Sequence, residues 1–227
     1  MENTKKDWNE IKSNDSWAVF KIMSEFVEGY DRMAKIGPCV SIFGSARTKE
    51  DNKYYQLTVD IAEKIARLGY GVISGGGPGI MQAANKGAQL GKGASVGLNI
   101  DLPFEQNHNP YIDQEHNLEF DYFFVRKVIF VKYSQAFVVL PGGFGTLDEF
   151  FEALTLIQTK KIAKRPVVLV GKSYWTGLML WIEEVMLNEE HNISPLDLDL
   201  VKIVDTADEA AQIIEDFYRS HSLSPNF

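Results

Sequence analysis

The chain has 227 residues, 45% of them hydrophobic, enough for one α/β domain with a full core. Its formal net charge of −8 argues against a broad nucleic-acid surface but leaves room for a local anion site. The single cysteine, Cys39, excludes an intrachain disulfide framework and a cysteine-rich zinc site. The polar start MENTKKDWNE lacks a signal-peptide core, and no apolar stretch approaches the ~20 residues of a membrane span, so a cytoplasmic location is expected.

In chain order, residues 1–14 read as a polar, frayed tail. From Ser16 to about Ala34, Trp17, Phe20, Met23, Val27 and Tyr30 recur at helical spacing, predicting an amphipathic helix. That stripe either packs on the domain or forms a subunit contact. Residues 1–36 are thus set apart as tail and helix, and 37–227 form one Rossmann-like domain. Within it, short Val/Ile-rich runs at 39–44, 71–75, 94–100, 136–140, 166–170 and 201–204, with a weaker one at 118–123, read as strands covered on both faces. Helical stretches at about 51–69, 78–90, 124–134, 147–158, 174–187 and 206–219 lie between them. The alternation predicts a doubly wound parallel sheet with helices on both faces. Segment 101–117 has no period and reads as a loop near the site.

Three corners follow strands. Gly44-Ser45-Ala46-Arg47 brings a hydroxyl and a cation. Gly75-Gly76-Gly77-Pro78-Gly79 opens a helix, with Pro78 placed in its first turn, where its missing N–H costs nothing. Pro141-Gly142-Gly143-Phe144-Gly145-Thr146 precedes another helix. In a parallel sheet all three fall on the carboxyl edge, where ligands bind, and helix starts there favour anions. The dinucleotide fingerprint fails at Ile80 and Asp148, and Gly87–Gly93 fails the P-loop spacing. A monophosphate is the better ligand.

Glu149 is the candidate catalytic base, with Asp148 beside it as an alternative acid. An equally open reading is a capping box with Thr146 as N-cap and Glu149 three residues on. Arg126-Lys127 near a helix start oppose the dipole, which suggests function over a solvated surface pair. The histidines 108, 116, 191 and 221 are scattered and read as loop or surface residues; no cluster has metal-ligand spacing, and no metal or cofactor is expected.

Together these residues resemble the LOG ("Lonely guy") family of cytokinin riboside 5′-monophosphate phosphoribohydrolases, members of which once carried a lysine decarboxylase label. The resemblance runs from about Val40 to about Glu183. It rests on the intact P-G-G-x-G-T-x-x-E hallmark from Pro141 to Glu149, on Arg126-Lys127 fifteen residues upstream, and on a glycine element ending in Ile80-Met81. Phe123-Phe124 replace the family's usual Met-His, and Ile80 replaces a glycine. The resemblance implies that Arg126 and Glu149 are catalytic and that Gly142, Gly143, Gly145 and Thr146 contact phosphate, with Thr155 near the site. It implies AMP or an N6-substituted AMP as substrate and a homodimer or larger homo-oligomer. The same fold also resembles molybdenum-cofactor carrier proteins, which bind without catalysis. Ser45, Arg47, Gly75, Gly76, Gly77, Lys127 and Asp148 complete the expected binding set.

Overall fold

The computed structural model describes residues 8–101 and 108–227, with side chains from residue 16 onward. The Val/Ile runs form the strands β1 (Cys39–Phe43), β2 (Gly71–Ser74), β3 (Ser95–Ile100), β4 (Asn117–Phe120), β5 (Ser134–Val139), β6 (Val167–Val170) and β7 (Val201–Val204). They make one sheet of order β4-β3-β2-β1-β5-β6-β7 in which every pairing is parallel. The central strands are buried along their whole length, which is why they lack polar–apolar alternation.

Helices cover both faces. One core layer lies under α2 (Lys53–Arg67), α3 (Ile80–Leu90) and α7 (Ala207–Tyr218). The other lies under α1 (Trp8–Met33), α4 (Phe123–Tyr133), α5 (Phe144–Gln158) and α6 (Lys172–Trp181), with Trp175, Phe130, Phe137 and Phe150 at its centre. A π-helical segment, Ile182–Glu189, prolongs α6. The chain winds outward from β1 to β4 and then returns to β5 on the other side of β1. The order therefore reverses between β1 and β5, and that reversal opens a crevice at their carboxyl ends. Across it, the Ser45 N–H donates to the Pro141 carbonyl at 3.1 Å, joining two of the three corners.

Three local expectations are corrected. Helix α1 starts at Trp8, within the segment read as frayed, while residues 1–7 lie outside the described residues. Of the predicted stripe, Trp17, Phe20, Met23 and Val27 do not pack on the domain, their side chains being 56–74% exposed, and only Tyr30 meets the core. A second stripe, Ile22, Phe26, Tyr30 and Met33, meets the core instead. Polar anchors decide between two stripes of equal periodicity. The Glu25 carboxylate accepts from the Asp121 and Tyr122 N–H groups, Lys21 pairs with Asp121, and Arg32 donates to the Glu115 and Asn117 carbonyls. Finally, Pro78 precedes α3 rather than entering it. The N-cap is Gly79 at φ +68°, where a Cβ would come within 2.4 Å of the Ser45 carbonyl oxygen.

Candidate active site

The carboxyl ends of β1, β2, β3 and β5 surround a cavity of about 930 Å³, in the range of small-molecule sites. Its wall carries residues from all three corners: Gly44 to Arg47, Gly75 and Gly77, and Pro141 to Thr146. Gly44 is small for a packing reason, since a Cβ there would lie 2.5 Å from the buried Ile80 side chain.

The corners differ in what they offer an anion. The first amide of α3, Ile80 N–H, already donates to the Ser45 carbonyl at 3.0 Å, so this helix start ties two loops together. Helix α5 is different. Gly143 is its N-cap, with no side-chain cap bond, and the Gly143 carbonyl accepts from Leu147 N–H at 3.1 Å. The Phe144, Gly145 and Thr146 amides of its first turn therefore lack helical acceptors and face the ligand edge with the positive end of the dipole. The alternative reading, a capping box, is absent: Thr146 and Glu149 are the third and sixth residues of α5, so neither can cap it.

Glu149 instead points into the cavity floor, 9% exposed. Arg126 reaches it from α4, Nη2 to Oε1 at 3.5 Å, and lies over the Phe123 and Phe130 rings. Burial pushes the Glu149 carboxyl up to about 7, with Arg126 and Lys127 opposing the rise and Glu152 and Asp148 adding to it. A carboxyl of that value can accept and return a proton near neutrality. Lys127 does not reach the cavity wall. It bridges Asp148 at 2.8 Å and Glu152 at 3.0 Å; burial works against its charge, but these carboxylates prevail and its pKa is raised. Lys127 thus supports the glutamate's helix from behind.

Of the expected set, Ser45, Arg47, Gly75, Gly77, Arg126, Gly142, Gly143, Gly145, Thr146, Asp148 and Glu149 meet at the wall. Gly76 lies behind it at φ +78°, with its carbonyl held by Asn109. Thr155 is exposed, farther along α5, and outside the wall. Sequence reasoning missed Met81, Asn99, His108 and Tyr174. Asn99 is the penultimate residue of β3, on the same edge as the corners, so its place follows from the strand pattern. His108, read as a loop or surface residue, lines the cavity and meets Glu119 at 2.6 Å.

Comparison with known proteins agrees with this arrangement. A family profile described as "Possible lysine decarboxylase" matches residues 81–214. A cytokinin riboside 5′-monophosphate phosphoribohydrolase of Mycobacterium tuberculosis is 30% identical over 68% of this chain and 82% of its own. A probable enzyme of the same name from Arabidopsis thaliana is 27% identical over 80% of this chain and 90% of its own. Among solved structures, a molybdenum cofactor carrier protein from Chlamydomonas reinhardtii superposes with a TM-score of 0.62 at 22% identity, covering 81% of this chain and 99% of that one, a likeness of fold. The family match, the relatives and the intact hallmark around the cavity agree: this chain belongs to the LOG family.

Proposed function

We propose that this protein hydrolyses the N-glycosidic bond of nucleoside 5′-monophosphates, AMP or an N6-substituted AMP, giving free base and ribose 5-phosphate. The observation that carries the proposal is the pairing, in one cavity, of a buried carboxyl poised near 7 with the uncapped start of α5. The amides of Gly143 to Thr146 hold the 5′-phosphate, and Ser45 and Arg47 add a hydroxyl and a cation from the β1 corner. Glu149 then faces C1′. As the bond to the base nitrogen lengthens, its electron pair leaves with the base and positive charge builds on the ribose, which the carboxylate stabilises. Water adds to C1′ and gives its proton to Glu149, which returns a proton to the departing base. Arg126 orients the carboxylate and keeps part of its population ionised.

The decarboxylase description has less support. Pyridoxal chemistry requires a lysine amine at the site, and among the described residues none lines the cavity wall. A carrier of the same fold would need the phosphate cradle but gains nothing from a buried acid, whose ionised form is costly. Hydrolysis of AMP in ¹⁸O-labelled water tests the reading. The label should enter ribose 5-phosphate and not adenine or inorganic phosphate. Label in inorganic phosphate, or no base release, contradicts it.

A further inference from the structure

We propose that Tyr174, which lies outside all three glycine corners, is a positioning residue that aims the Gly143 N–H into the cavity as a donor to the substrate's 5′-phosphate. The inference rests on the monophosphate reading. Tyr174 stands in the first turn of α6 and lines the cavity beside the Pro141–Thr146 corner. Its hydroxyl donates to the Gly142 carbonyl oxygen at 2.5 Å. The peptide between Gly142 and Gly143 is trans, and a planar trans peptide sets its C=O and N–H on opposite sides. Fixing the carbonyl toward Tyr174 therefore fixes the amide away from it. Gly143 is exposed on the wall, and its N–H has no acceptor among the described residues.

The tether answers a problem that the glycines create. A Cβ at Gly142 would fall 2.0 Å from Thr146 Oγ1, so only glycine fits there. A Cβ at Gly143 would meet nothing within 4 Å, so packing does not constrain that position. Two adjacent glycines leave the intervening peptide plane free to rotate unless a partner holds it. Tyr174 is 44% exposed, and its inner side rests on a fixed neighbour. Its ring meets Trp175 edge-on at 4.8 Å, and the buried Trp175 indole donates to the Val170 carbonyl at 3.1 Å. The β2 corner repeats the relation: Asn109 donates twice to the Gly76 carbonyl, at 2.9 and 3.0 Å, which turns the Gly77 N–H the other way. In both corners the donors' aim is set by a side chain distant in sequence.

Tyr174→Phe keeps the ring and its contact with Trp175 and removes the hydroxyl alone. Calorimetric binding of ribose 5-phosphate and of adenosine, with kcat and KM for AMP and the melting temperature, separates the possibilities. Ribose 5-phosphate affinity should fall roughly tenfold, as for one charge-assisted hydrogen bond misdirected. The KM for AMP should rise in step with little change in kcat, the mark of lost ground-state binding. Adenosine affinity should not change, and the melting temperature should fall by no more than the few degrees that one lost hydrogen bond costs. Equal ribose 5-phosphate affinity in the two proteins overturns the proposal, as does an equal weakening of adenosine, which would mean a general loosening of the cavity. If the parent protein fails to cleave AMP, the hydrolase reading falls, while ribose 5-phosphate binding still decides the role of Tyr174.

Discussion

Replacing Glu149 with glutamine should damage turnover and stabilise the fold, with opposite consequences from one cause. The carboxyl is 9% exposed, and burial raises it from 4.5 to about 7. Between those values the native state holds a proton that the unfolded chain has released. Stability therefore falls as pH rises through that window, and the full penalty applies above about 7. A change of this size corresponds to about 3 kcal/mol at most. Glutamine is neutral at every pH and avoids the penalty. Glu149→Gln should therefore melt several degrees higher than the parent at pH 8, given roughly 2–4 °C per kcal/mol for a chain of this length. The gain should shrink toward zero near pH 4.5. Turnover of AMP should fall roughly 10²-fold or more as the proton acceptor is lost. Scanning calorimetry across pH, with base release measured in parallel, gives both numbers. A variant no more stable than the parent at pH 8 would show that Glu149 carries no buried-charge penalty. Near-normal turnover would refute its role as base.

The parent enzyme's kcat/KM should rise with pH through an apparent pKa near 7 and lose that limb in Glu149→Gln; a limb that persists belongs to another group. Arg126→Lys should reduce kcat, because an ammonium cannot reproduce the planar guanidinium held over two phenylalanine rings; retained activity would mean that charge alone suffices. Gly143→Ala should melt like the parent, since a Cβ there meets nothing, yet raise the KM for AMP by crowding the phosphate; an unchanged KM would remove Gly143 from the cradle. Gly79→Ala should lower stability by more than about 1 kcal/mol, because both its φ of +68° and the Ser45 carbonyl oppose a side chain; a neutral effect on melting would contradict that packing.

The sheet was legible because buried parallel strands appear in sequence as unbroken Val/Ile runs between helical stretches. The ligand edge followed from topology, since three corners after parallel strands share one side. The lost expectations have physical reasons. Thr146-Leu147-Asp148-Glu149 has the residue pattern of a capping box, but the glycine corner lets α5 begin three residues earlier and carries Glu149 into the cavity. The α1 stripe failed because two apolar faces share a period, and the choice between them depends on Glu25 and Arg32 meeting backbone groups far along the chain. Tyr174 escaped notice for a similar reason: it contacts Gly142 across 32 positions, and no local pattern encodes that bond.

On the proposed reading, the cavity is built around a 5′-phosphate held beside a buried general base. The most direct test compares kcat/KM for AMP and adenosine in the same preparation, following free adenine by chromatography. Adenine should be released from AMP, with adenosine slower by roughly 10²-fold or more, because remote phosphate binding energy positions the bond that breaks. Equal kcat/KM for the two substrates would contradict it and reduce the glycine corners to structural turns.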